Sequence, residues 1–303
     1  MKNLNNLTII IVTYMTNKKI LLDCLKSINK KVKIIIVENS SRLDSEKFFL
    51  KNFTNIDIKC TGSNLGYGKG NNFGLNFVKT DYVLILNPDI ICGKELFSNI
   101  KKILDKINDF SIVGCQYLYD KTFMPAGYFN YSKNKKFKKQ FFTHKQKMLT
   151  KVDWVTGCSM LINLKKFDTK KIFDENYFLF FEEFDLCKTI LKNSGIIYTA
   201  RDLRVHHLGF KGSIGSNKYL NESALKLRDW HFMWSTFYFY KKNFNFFYAL
   251  FKVFGKLLRS ILKLFYFTFF YNQKKRDKYL FRFLGIVAAL FGKKSSYRGI
   301  KFY

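Results

Sequence analysis

Short, almost uninterrupted apolar runs alternate with helical periodicity through the first 115 residues. LTIIIV (7–12), KIIIV (33–37), IDIKC (56–60), YVLIL (82–86) and SIVGC (111–115) read as strands. Continuous rather than alternating apolarity marks parallel strands covered on both faces. Between the last two, residues 94–107 place Leu96, Ile100, Ile103, Leu104 and Ile107 on one helix face. Strand, helix, strand repeated in this way predicts an α/β fold. Its Rossmann-like, doubly wound and mostly parallel sheet is flanked by helices and binds ligands at the strands' carboxyl ends. After residue 150 the rhythm changes. Residues 153–163 read as one or two strands, 183–195 as a helix ended by Gly195, and IIYTA (196–200) as a strand followed by a loop containing VHHLGFKGS. From Asn221 onward every segment reads as helix, so the expected division is an α/β domain over 1–220 and a helical region over 221–303.

The helical region has its own chemistry. FNFFYALFKVFGKLLRSILKLFYFTFFY (244–271) is apolar enough to suggest a span, but Lys252, Lys256, Arg259 and Lys263 are spaced 4, 3 and 4 apart and form one stripe. Near the centre of a bilayer each such charge costs about 2.5–3.5 kcal/mol. Lying flat costs less, with lysines toward headgroups and Phe, Leu and Ile toward the acyl boundary. Interfacial attachment is therefore expected, and a core helix packed on the rest of the chain is the competing reading. YLFRFLGIVAALFGKK (279–294) repeats the pattern more weakly and is too short to span.

Charge sharpens this. Lys and Arg number 53 against 22 Asp and Glu, a net charge of +31. Residues 208–303 hold nineteen Lys/Arg and three acids, and the loop over 133–151 holds eight lysines and no acid. Such an excess predicts an anionic partner: nucleic acid, an acidic membrane face or a phosphorylated substrate. The six cysteines show no CxxC or metal spacing and read as reduced core residues of a cytosolic protein. The N-terminus lacks the apolar stretch and cleavage site of a signal peptide.

Polar residues collect where the strands end. Strand one runs into VTYMT, strand two into VENSS, strand three into GSNLGYGKGNNFG, and strand four into LNPD. The glycine–asparagine stretch allows close backbone approach and offers amides to a base, ribose or phosphate, or else forms a tight turn with a capping Asn. It fits neither a Walker loop nor a GxGxxG motif opening from a first strand. Asp89, after a buried strand and Pro88, can hold a hard divalent cation through oxygen or cap the next helix. His206 and His207 offer a second metal ligand, a phosphate contact or a structural hydrogen bond.

TIIIVTY, VENSS, NLGYGKGNNFG, YVLILNPD, DWVTGCSMLI, FDENYFLFFEEFDLCKTILKNSG and VHHLGFKGS occur in the order found in glycosyltransferase family 2. The resemblance covers roughly residues 7 to 215 and points to the bacterial rhamnosyltransferase-like branch. It implies the GT-A fold, a nucleotide diphosphate sugar donor, inversion at the anomeric carbon and a divalent metal, Mg2+ or Mn2+. By position, Thr13, Tyr14, Glu38 and Asn39 would line the nucleotide pocket, with Glu38 where the family often has Asp. Asn64, Gly66 and Asn72 would contact ribose and diphosphate. Asn87 and Asp89 stand at the family's Asp-x-Asp, with Asp89 as metal ligand and His206 as a further one. FEEFDL lies where the family carries Glu-Asp-x-Asp-Leu, which makes Glu183 the catalytic base, with Glu182 as the other candidate. Glu182 and Asp185 would orient the base or cap the helix.

The resemblance implies L-rhamnose from dTDP-rhamnose, with a UDP-hexose such as UDP-glucose or UDP-galactose as the alternative donor. The expected acceptor is a polyprenyl-diphosphate-linked surface glycan at the inner face of the cell membrane, where the basic helices would attach peripherally. A basic module binding membrane or nucleic acid explains the tail but leaves the motifs unexplained. No RNA- or DNA-reading motif is present, so no nucleic-acid partner is expected.

Overall fold

The computed structural model describes residues 4–107, 109–119, 122–124, 126–130, 136–140, 148–209 and 218–299. Most of the lysine loop (131–135 and 141–147) and the stretch 210–217 after VHHLG lie outside the described residues. The chain forms two compact units that interleave along the sequence. The first comprises residues 1–65, 70–173 and 183–213, and the second 66–69, 174–182 and 214–303.

The first unit begins with β1 (Leu7–Thr13), α1 (Lys18–Lys26), β2 (Lys33–Glu38), α2 (Glu46–Asn52), β3 (Ile56–Cys60), α3 (Tyr67–Leu75) and β4 (Tyr82–Leu86). It continues with β5 (Ile90–Cys92), α4 (Leu96–Lys106), β6 (Ile112–Tyr119), β7 (Thr122–Met124), β8 (Ala126–Asn130) and β9 (Lys136–Gln140). β10 (Leu149–Lys151), β11 (Ser159–Asn163), α5 (Glu182–Lys192) and β12 (Ile197–His207) complete it. The main sheet has the order β10-β12-β6-β11-β4-β1-β2-β3. β4, β1, β2 and β3 are mutually parallel, as their unbroken apolar runs predict. β11 then enters antiparallel to both β4 and β6, so antiparallel pairs interrupt the parallel ones. Every residue of β1 and β4 is buried, and α4 covers the sheet through Leu96, Phe97, Ile100, Ile103 and Leu104.

Two boundaries differ from the sequence reading. The turn after α5 is made by Ser194, with φ 57°, rather than by Gly195. Gly195 is required for closeness instead, because a Cβ there would sit 2.6 Å from Ile190 Cγ2 and 2.7 Å from Ser111 Oγ. The strand expected to end at Ala200 runs on through His207. After a bulge between Ala200 and Arg204, residues 204–206 pair with β6, while 205–207 pair with β5 on the other side.

The second unit is built on α6 (Lys218–Asn243), α7 (Phe246–Phe269) and α8 (Gln273–Leu290). Asn245 and Asn272 cap α7 and α8 by accepting the N–H groups of Tyr248 and Lys275. α8 packs closely on α6: a Cβ on Gly285 would collide with the carbonyl of Trp230, and Arg282 pairs with Asp229 at 2.7 Å. Residues Gly285, Ile286 and Ala289 are buried and give α8 a packed face. Segment 174–182 belongs to this unit. Asp174 Oδ2 accepts from Tyr238 and Lys242, and Ser235 donates to Leu179 O at 2.8 Å. Phe180 and Phe181, both in the left-handed region, place their rings against Phe232. The Phe178 ring stacks on His231, with the Arg298 guanidinium 4.0 Å from its centroid.

Candidate active site

Parallel pairing brings the ends of β1, β2, β3 and β4 to one edge of the first unit. Thr13 and Glu38 are partners in register, as are Glu38 and Cys60, and Asn87 follows directly on β4. Thr13 and Glu38 are buried, and the Thr13 hydroxyl donates to Glu38 Oε2 at 2.6 Å. Burial pushes the Glu38 carboxyl above its ordinary range, while hydrogen bonds from Thr13 and Ser40 pull it back in part. The extra methylene of Glu over Asp is thus used to reach β1. Asn39 is buried beside them and donates its N–H to Thr13 O at 2.8 Å, while Tyr14 is half-buried.

The glycine–asparagine stretch is used largely by the protein itself. Asn64 is half-buried. Gly66, in the second unit, has φ +85°, and a Cβ there would collide with the Phe178 carbonyl, which accepts the Tyr67 N–H at 3.0 Å. Glycine is therefore demanded by a backbone contact. Asn72 is buried and spends both ends of its amide on Phe173: Nδ2 donates to its carbonyl at 2.8 Å, and Oδ1 accepts its N–H at 3.0 Å. Asn72, expected to meet ribose or diphosphate, is seen instead holding Phe173. Its amide is buried and committed to bracketing the chain.

Asn87 and Asp89 form a tight turn between β4 and β5. Asn87 donates its N–H to Cys158 O at 2.9 Å and accepts the Ile90 N–H at 3.2 Å. Asp89 is buried, and the residue at the cap position of α4 is Glu95. The Asp89 Oδ1 lies 3.2 Å from Nε2 of His207. His207, and not the expected His206, is thus the histidine beside Asp89, and His206 is exposed. Because residues 205–207 are a strand, alternate side chains face opposite ways: Val205 and His207 share one side and His206 takes the other. Reading VHH with period two would have found His207.

Among the described residues no group of three or more His, Cys, Asp or Glu is arranged to hold a metal ion. Asp89 and His207 together offer one carboxylate and one imidazole, a donor pair that would suit a divalent cation such as Mn2+ or Mg2+.

The acidic cluster opens α5. Glu182, assigned to the second unit, and Asp185 are buried, and Glu183 is partly exposed. Burial pushes the Glu183 carboxyl up to about 7, against the pull of its own N–H and that of Phe184. The next ring, Phe184, packs edge-on against buried Trp154 at 5.0 Å and fixes this first turn. Cys158, at the same strand edge, links the two acidic positions. Its thiol is raised chiefly by burial and further by the negative charges of Asp89 and Glu183. Asp89 and Glu183 therefore both act electrostatically on one buried thiol, and His207 stands beside Asp89. Trp154 and Cys158 carry no signal of this role in the sequence, since each reads as ordinary core.

The profile described as Glycosyl transferase family 2 matches residues 8–169. The chain is 28% identical over 193 residues to "Rhamnosyltransferase WbbL" of Escherichia coli K12, covering 56% of this chain and 70% of that protein. It is 26% identical over 192 residues to "Low-salt glycan biosynthesis hexosyltransferase Agl10" of Haloferax volcanii, covering 61% of each, less than two thirds of that relative's length. Among solved structures, the mannosyltransferase PcManGT of Pyrobaculum calidifontis, in complex with GDP-Man and Mn2+, shares the fold. The match has a TM-score of 0.53 and 12% identity, and it covers 95% of this chain and 88% of that one. Residues 1–349 of S. aureus TarS, in complex with UDP-GlcNAc, match with a TM-score of 0.53 and 11% identity over 95% and 92% of the two chains.

Proposed function

This chain belongs to glycosyl transferase family 2, and from that premise we propose that it is an inverting transferase moving a sugar from a nucleotide diphosphate to a glycan acceptor. The observation that supports the reading is that Asp89 and Glu183 both act on the buried Cys158 thiol, with the Glu183 carboxyl raised to about 7. A base whose pKa lies near the working pH is both deprotonated and strong enough to accept a hydroxyl proton. In the proposed step Glu183 takes the acceptor proton while the acceptor oxygen bonds to the anomeric carbon. The bond from that carbon to the diphosphate oxygen breaks on the opposite face, and the nucleoside diphosphate leaves with the electron pair. Glu183 is preferred over Glu182 because it is the more exposed of the two.

Asp89 and His207 would hold the divalent cation. When bound, such an ion offsets the charge that develops on the departing diphosphate. Thr13, Tyr14, Asn39 and Asn64 remain the candidates for the nucleoside, with Glu38 held against Thr13. L-Rhamnose from dTDP-rhamnose is the preferred donor, supported by the match to WbbL, and a UDP-hexose is the second reading, supported by the hexosyltransferase Agl10. A polyprenyl-diphosphate-linked acceptor at the inner membrane face suits the positive charge. Among the described residues no helix is long and apolar enough to cross a membrane, and attachment at its surface is the proposed arrangement.

The test is a thermal-shift screen of dTDP-rhamnose, UDP-glucose, UDP-galactose and GDP-mannose with Mn2+, because a specific donor stabilises the native state by mass action. A shift with one donor that disappears on chelation is the expected result. No shift with any nucleotide sugar would overturn the reading.

A further inference from the structure

α7 presents three distinct faces. Small residues Ala249, Val253 and Ser260 form the buried one. Lys252, Lys256, Arg259 and Lys263 form a second. The third is apolar and exposed: Phe247, Phe251, Phe254, Leu258, Leu262, Phe265 and Phe269 recur at intervals of three or four, so they stack into one ridge. Phe247, Phe251, Phe265 and Phe269 are 80%, 76%, 72% and 77% exposed, too open for core positions. At 1.5 Å per residue the ridge is about 33 Å long. It ends in exposed Phe270 and Tyr271, followed at once by exposed Lys274 and Lys275.

Which surface covers such a ridge is decided by charge. α7 carries four cations and no anion, and the chain as a whole is +31. A second copy would bring another chain of net charge +31 against this one. An anionic lipid leaflet supplies both missing partners, acyl chains for the rings and phosphate headgroups for the lysines beside them. We infer that the Phe247–Phe269 ridge is the surface by which this protein enters an anionic phospholipid leaflet, with α7 lying in the plane of the membrane. The inference deepens the membrane attachment proposed above and rests on that reading.

The test uses the full chain and sedimentation with vesicles of phosphatidylcholine alone or with phosphatidylglycerol. Binding is expected only with phosphatidylglycerol and should weaken in 0.5 M NaCl. The triple substitution Phe251→Ser, Phe254→Ser and Phe265→Ser should lower binding at least tenfold while leaving the melting temperature and the donor-induced thermal shift unchanged, because these rings are exposed. A second variant, Phe265→Trp, should show fluorescence quenched by lipids brominated near the headgroup end of the chain. Equal binding by the triple variant, equal binding to neutral vesicles, or an unquenched Trp would overturn the inference. So would a dimer of the parent that the triple substitution converts to monomer, which assigns the ridge to a second copy. Vesicle binding without any donor shift would sink the transferase reading and leave the ridge standing. A donor shift without vesicle binding would do the reverse.

Discussion

Asn72 and Phe173 lie 101 residues apart in the chain, yet the Asn72 amide both donates to and accepts from the Phe173 backbone, at 2.8 and 3.0 Å. The pair ties α3 to the stretch just before the acidic loop, inside one unit. Asn72→Ala leaves a buried N–H and a buried carbonyl without these bonds. It should lower the free energy of urea unfolding by about 2–4 kcal/mol. Asn64→Ala, at a half-buried position, should instead weaken the donor-induced thermal shift with little change in stability.

Glu183 couples stability to activity. Its folded-state carboxyl is raised from 4.5 to about 7, so the folded chain holds a proton that the unfolded chain releases between those values. The group's contribution to stability is therefore full below pH 4.5 and is lost as pH rises through about 7. Glu183→Gln removes the desolvated charge. It should raise the melting temperature by about 2–4 °C at pH 8, with the gain vanishing near pH 4.5. The same variant should lose about 10²–10⁴-fold in kcat, and the parent's kcat/KM should rise with pH and level off above about 7.

The two neighbouring histidines should separate cleanly. His207→Ala removes the group 3.2 Å from Asp89 and should raise the Mn2+ concentration needed for half-maximal donor binding at least about tenfold. His206→Ala, on the exposed side of the strand, should change it by no more than about twofold. Calorimetric Mn2+ titration in the presence of donor checks both, and equal effects would return the choice to His206.

Gly66 and Gly62 give a matched pair. Both have positive φ, but a Cβ at Gly62 meets nothing within 4 Å, whereas one at Gly66 strikes the Phe178 carbonyl. Gly62→Ala should cost about 1–2 kcal/mol of conformational strain. Gly66→Ala should cost clearly more in the same urea measurement, because backbone must move.

The parallel strands were legible because each is a single apolar run with no competing periodicity, as in LTIIIV and YVLIL. Asp89 was legible for a related reason: an acid at the end of a buried strand stands out against its surroundings. VHHLG reads as loop in the sequence, which hides the different sides taken by His206 and His207, and only the pairing with β5, a three-residue strand, reveals the alternation. Asn72 looked like a ligand contact because an amide beside glycines suits a phosphate or a backbone equally, and its true partner is remote in sequence. The antiparallel entry of β11 was equally hidden, since direction leaves no mark on a run such as SMLIN.

The interleaving of the two units makes this a protein without a detachable tail. Residues 66–69 and 174–182 fold with the helices of 214–303, so a chain ended at Ser213 would keep Phe178, Phe180 and Phe181 but lose the rings they rest on. Shuffling the helical part onto another enzyme, or pruning it for ease of handling, would remove the support of the strand of chain that leads straight into Glu183. Modularity stops at that point: the helices and the chain leading into Glu183 are inherited together.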